Sequence, residues 1–189
     1  MGMSRHQMSP ELADRARFEA LYASCHPAVV GYVLRRVALP EDGADVIAET
    51  FLVAWRRLDE VPLGEEARLW LYAVARRMLA NQRRGERRRT ALAERLRAEL
   101  AVAPAADERQ SRVREIADAL ARLSDAEAEL LRLEGWEGLD ARQIASVLGI
   151  SPNAARIRLH RARRRLAREL AAVENGAVAC PTAARGQTR

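Results

Sequence analysis

The chain has 189 residues, 49% of them hydrophobic but only 4% aromatic, with a formal net charge of +6 at pH 7. That length suits two small domains better than one large one. The Ala, Leu, Arg and Glu bias, with no period-two run of β-branched residues, argues against a β architecture and predicts an all-α protein. All 32 basic residues are arginine, and the positive balance favours an anionic partner, most simply nucleic acid.

Cys25 and Cys180 belong to no CxxC or His/Cys ligand spacing, so neither a zinc site nor a disulfide framework is expected. No metal or other cofactor is called for, and reduced, cytoplasmic thiols are expected, Cys25 as a buried and inert one. No apolar run reaches membrane-spanning length, and the opening MGMSRHQMSPELADR lacks the apolar core of a signal peptide. No membrane insertion is expected.

In chain order, residues 1–17 form an N-terminal extension, and amphipathic helices follow over 18–89. The first, FEALYASCHPAVVGYVLRRV, is expected to break or bend near Pro27. In the second, DGADVIAETFLVAWRRL, the residues Ile47, Phe51, Ala54, Trp55 and Leu58 share one face and predict a buried stripe. At about 100° per residue, Asp42, Asp45, Glu49 and Leu52 gather on almost the opposite side. Such an acidic ridge repels DNA; it is either a neutral solubility feature or a docking surface for a basic protein.

The third helix, EARLWLYAVARRMLANQRR, is expected to run to Gly85 and to bury Leu71, Val74, Ala75 and Met78. Trp70, Arg77, Asn81 and Arg84 form a second stripe, flanked by Arg76 and Arg83. An aromatic ring among arginines suits single-stranded nucleic acid, because the ring stacks on a base while guanidiniums follow the backbone. Trp70 could equally be a core residue. Residues 90–111 are Ala-rich and charged around Pro104 and read as a linker, part helical and part mobile.

Over 112–172 the helical pattern resumes. Ser124 and Glu127 have capping-box spacing. DARQIASVLGISPNAARIRLHRARRRL has the grammar of a helix-turn-helix. Asp140 with Gln143 caps the first helix, Ile144, Ala145 and Leu148 give its apolar face, and Gly149 supplies the turn. Ser151 caps the second helix, with Pro152 at its first position. Ala155, Leu159, Ala162 and Leu166 face inward. Asn153, Ala154, Arg156, Ile157, Arg158 and Arg161 are available for base edges in a major groove. Arg163, Arg164, Arg165 and Arg168, further along, either meet phosphates or form a solvated face. Residues 173–189, without periodicity, are expected to be a disordered tail.

The order of these pieces resembles an extracytoplasmic-function (group IV) bacterial RNA polymerase sigma factor. The motifs that carry the resemblance are ETFLVAW, WLYAVAR and RLHRARRRL. It implies a helical sigma region 2 over 18–89 and a region 4 helix-turn-helix over 112–172, with no catalytic activity. Asp42, Asp45, Glu49 and Leu52 are then the core-polymerase docking ridge, set against the β′ clamp helices, while region 4 meets the β flap. Trp70, Arg76, Arg77, Asn81, Arg83 and Arg84 are implied at the −10 element, with an extruded base held partly by DEVPLGEE. Ser151, Asn153, Ala154, Arg156, Ile157, Arg158, His160, Arg161 and Arg164 are implied at the −35 element. Promoter DNA and an anti-sigma factor complete the implied partners. The alternative is a stand-alone helix-turn-helix repressor or activator, which has no use for the acidic ridge or the WLY helix.

Overall fold

The computed structural model describes residues 10–37, 39–90 and 116–178. Within them every regular element is helical. Residues 91–115, which hold almost the whole expected linker, and residues 179–189, which hold Cys180, lie outside the described residues. The chain divides into two compact units, one centred on the three N-terminal helices and the other on the helices that follow the linker.

The first unit packs α1 (Pro10–Leu34), α2 (Pro40–Arg56) and α3 (Glu65–Thr90) pairwise. Helix α1 begins at Pro10, so residues 10–17 of the expected extension are part of it. It also passes through Pro27 without ending, so of the expected break or bend the break does not occur. Val29, Tyr32 and Val33, just beyond that proline, are fully buried, and this packing offsets the roughly 3 kcal/mol that an interior proline costs. Gly43 lets α2 start close to α1. A Cβ there meets the Leu34 side chain at 3.0 Å and the Val37 side chain at 3.4 Å.

The buried face of α2 is Gly43, Val46, Thr50, Phe51 and Ala54, followed by Leu58. This corrects the expected stripe: Ile47 is half-buried and Trp55 is 45% exposed. Small residues on the true inner face let the helices approach closely, and Trp55 is displaced to the rim, edge-on to Phe18 at 5.2 Å. Thr50, fully buried, satisfies its hydroxyl by donating to the Val46 carbonyl at 2.6 Å.

Helix α3 buries Leu71, Val74 and Ala75 as expected, and Leu69, Tyr72 and Leu79 as well; Met78 is half-buried. Tyr72 stacks on Tyr32 of α1 at 4.7 Å. The helix does not stop at Gly85 but continues to Thr90. A single interior glycine costs only about 1 kcal/mol, and the flanking Arg and Glu are good helix formers.

The second unit consists of a helical stretch at 116–121, α4 (Asp125–Gly135), α5 (Ala141–Leu148) and α6 (Pro152–Val178). Helix α4 packs along α6. Leu130 and Leu133 from α4, Ile144, Ala145 and Val147 from α5, and Ala155, Leu159 and Ala162 from α6 are buried. The backbone of α6 stays helical to Val178, so the expected tail starts as helix over 173–178.

Candidate nucleic-acid and protein interfaces

The helix-turn-helix is built by local hydrogen bonds that its sequence specifies. The Asp140 carboxylate accepts from the Arg142 and Gln143 backbone N–H groups at 2.7 and 2.8 Å, and the Gln143 side chain accepts from the Asp140 N–H at 2.9 Å. That reciprocal pair satisfies donors otherwise orphaned at the helix start. Helix α5 ends on Gly149 at φ +65°, with Ile150 N–H donating to Ala145 and Gly149 N–H to Ser146, a Schellman closure. Ser151 Oγ then accepts from Ala154 N–H at 3.2 Å and starts α6. Upstream, Ser124 and Glu127 make a complete capping box on α4.

The inward stripe of α6 is Ala155, Leu159 and Ala162, with Leu166 half-buried. Opposite it, Asn153, Ile157, His160, Arg161 and Arg164 share an exposed arc. Arg156 and Arg158 are exposed on its two sides, Ser151 is exposed at the helix start, and Ala154 is half-buried. Every α6 residue expected at the −35 element therefore lies on or beside one surface.

Two arginines expected to meet phosphates do not stand free. Arg163 Nε donates to Glu134 at 3.0 Å and its Nη2 makes a second bond to the same carboxylate. Arg165 Nη1 donates to Glu127 at 3.2 Å. These bonds turn both guanidiniums back onto α4, because each lies on a flank of α6 that the packed helix can reach. The pairing with Glu134 holds the Arg163 guanidinium above its ordinary pKa. Glu127 is held below the ordinary carboxylate range, first by the Ser124 hydroxyl and backbone N–H and less by Arg165. Sequence reasoning had no signal for these tethers, since they exist only through the α4–α6 packing.

On α2, Asp45 and Glu49 are exposed, Asp42 is half-buried, and Leu52 is 39% exposed. Among the described residues, neither Asp45 nor Glu49 is held in an ion pair or hydrogen bond. The ridge is thus open to a partner along its length.

On α3, Trp70 and Arg76 are half-buried while Arg77, Asn81 and Arg84 are exposed. Arg84 donates to the Asn81 side-chain oxygen, which steadies both on one face. The side chain of Arg83 lies outside the described residues.

Beside the start of α3 is a cavity of about 630 Å³. Its walls include Leu21 and Cys25 from α1, and Val61, Pro62, Leu63 and Arg68 from the loop and α3. Gly64 at φ +67° turns the loop, and Leu63 stands 79% exposed at its lip. Arg17 Nη2 donates to the Val61 carbonyl at 2.8 Å, fixing the loop to α1. The sequence marks this loop through Pro62 and Gly64, but Arg17 and Cys25 as its neighbours come only with the fold. Cys25 is buried and forms no disulfide among the described residues, its sulfur lying 3.6 Å from the Ser24 hydroxyl.

Residues 21–89 match the family described as Sigma-70 region 2, and residues 113–166 match Sigma-70, region 4. The chain is similar to the ECF RNA polymerase sigma factor SigL of Mycobacterium tuberculosis, at 34% identity over 158 residues, covering 82% of this chain and 89% of SigL. The RNA polymerase sigma factor CarQ of Myxococcus xanthus is 32% identical over 154 residues, covering 81% and 88%. Among solved structures, the sigma factor RpoE in complex with the anti-sigma factor NepR from Bartonella quintana aligns with a TM-score of 0.61. It has 24% identity and covers 81% of this chain and 96% of that one. CnrH in complex with the cytosolic domain of CnrY aligns with a TM-score of 0.58 at 24% identity, covering 82% and 88%. With both family regions matched in order and relatives of this identity matched over most of their length, the chain belongs to the sigma-70 family as an extracytoplasmic-function RNA polymerase sigma factor, which directs promoter-specific transcription initiation.

Proposed function

We propose that the protein joins core RNA polymerase through the α2 ridge of Asp42, Asp45, Glu49 and Leu52, and that its two units divide promoter reading between them. The first unit, over 18–89, takes the −10 element, and the second, over 112–172, takes the −35 element, with residues 90–111 linking them. The observation that carries this reading is the ridge: two exposed carboxylates held in no ion pair among the described residues, and one exposed leucine, on an ordered helix. A protein that only bound operator DNA would gain nothing from it, since it repels phosphate. The opposing surfaces are the β′ clamp helices for the ridge and the β flap for the second unit.

At the −10 element, Trp70, Arg76, Arg77, Asn81, Arg83 and Arg84 line the path of the separated strand. The cavity beside Pro62, Leu63 and Arg68 receives an extruded base. A pocket for such a base offsets part of the unstacking cost. The exposed arc of α6 enters the major groove at the −35 element. The protein acts in the cytoplasm without chemistry or cofactor of its own, its contribution being selective binding. An anti-sigma factor controls it, as the similarity to a sigma factor solved with one suggests.

The test is reconstitution of holoenzyme from purified core polymerase and the full chain, comparing wild type with Asp45→Arg/Glu49→Arg. The expected result is stoichiometric binding by the wild type and loss by the variant, with equal helicity by circular dichroism. Equal binding by both proteins removes the ridge from the interface; no binding by the folded wild type removes the whole reading.

A further inference from the structure

We propose that Ile157 is a specificity-determining residue that reads the C5 methyl group of a thymine in the duplex entered by α6. The proposal rests on the assignment of α6 to the −35 element. Ile157 is 45% exposed, and it is the one large apolar side chain in an outward arc otherwise made of Asn153, His160, Arg161 and Arg164.

Its position gives that exposure a meaning. Isolated exposed apolar residues are common and need no explanation by themselves. Ile157, however, lies one helical turn from Asn153 and one from Arg161, so its Cβ is about 5–6 Å from each of theirs. A helix seated so that Asn153 and Arg161 meet base edges therefore presents Ile157 to the base pair between them. The small, half-buried Ala154 beside that arc keeps the start of the helix narrow enough for close approach. The tethering of Arg163 to Glu134 and of Arg165 to Glu127 leaves the central arc to make that approach.

The chemistry is restrictive. An isoleucine side chain can neither hydrogen-bond a base edge nor neutralise a phosphate. The apolar feature of the major-groove edge is the thymine methyl, which projects where a cytosine carries only hydrogen. A β-branched residue on a helix is also stiff about χ1, so its methyl groups are held in place before DNA arrives and little entropy is lost on contact.

The experiment uses holoenzyme reconstituted with the full chain to select duplexes from a randomised pool. Each thymine of the selected duplex is then replaced singly by deoxyuridine, which deletes the methyl and leaves base pairing unchanged. The expected result is one position at which the replacement weakens wild-type binding about four-fold, the effect of withdrawing one methyl-sized group from an apolar contact. Ile157→Ala is expected to bind thymine and uracil equally there, while Ile157→Val keeps the preference. A selected site without thymine, the absence of any uracil-sensitive position, or an undiminished thymine preference in Ile157→Ala overturns the proposal and leaves the −35 assignment standing. A selection that yields no duplex preference in the −35 region overturns both.

Discussion

On α2 the exposed carboxylates of Asp45 and Glu49 are held in no ion pair among the described residues, whereas on α6 two of the arginines that look equally available, Arg163 and Arg165, are turned back onto Glu134 and Glu127. Both helices are amphipathic and both carry a line of like charge. The difference is what packs next to them: α4 lies along α6 and brings its acids within reach, while the ridge of α2 faces away from α1 and α3. A row of like charges in a sequence therefore overstates what a helix can offer a partner. Its neighbours decide which charges remain free.

This contrast can be broken most sharply at the ridge. Asp45→Arg/Glu49→Arg places like charge against a basic partner, which costs several kcal/mol, so a loss of at least about 100-fold in core-polymerase affinity is expected, measured by titration of labelled protein. A smaller effect separates neighbouring arginines on α6. Arg164→Ala should weaken promoter binding and reduce the slope of log affinity against log salt by about one unit. Arg163→Ala should leave that slope unchanged and cost only about 0.2–1 kcal/mol of stability, as an exposed pair does; an equal slope change in both variants would place Arg163 on phosphate after all.

The smallest expected effect is a pH dependence. Glu127 is held below the ordinary carboxylate range by Ser124. Its contribution is thus fully present above about pH 4.3, the ordinary glutamate value, and is lost as the pH falls through its lower folded value. Thermal melts of wild type should show an added acid sensitivity that Glu127→Gln lacks. Identical acid profiles would show that the capping box contributes nothing through its charge.

The local grammar of the second unit was legible before any coordinates. Ser124 and Asp140 cap where their spacing to Glu127 and Gln143 said they would, Ser151 caps just ahead of Pro152 as expected, and Gly149 turns the chain with the positive φ expected of it. These features are set by residues three or four apart, which a sequence displays directly. Trp55 was misplaced because size and apolarity suggest burial, whereas the inner face of α2 is chosen by how closely α1 can approach, and Gly43, Thr50 and Ala54 serve that better. Pro27 shows the same limit, since its local preference for a break is outweighed by the buried residues just after it. In the candidate sites, the exposed arc of α6 and the acidic ridge could be read from periodicity. The cavity by Leu63 and the tethered arginines could not, because they depend on residues far apart in the chain.

The bond from Arg17 to the Val61 carbonyl joins positions 44 residues apart and crosses the boundary that the sequence suggested between an extension and the first domain. It gives the loop at Pro62 and Leu63, where the proposed function places an extruded base, a shape fixed in advance. A loop already tied in shape loses less freedom when it closes around a ligand, and so spends less of the contact energy on its own ordering. A chain trimmed to begin at Phe18 would keep every residue of that loop and still have lost the clasp that shapes it.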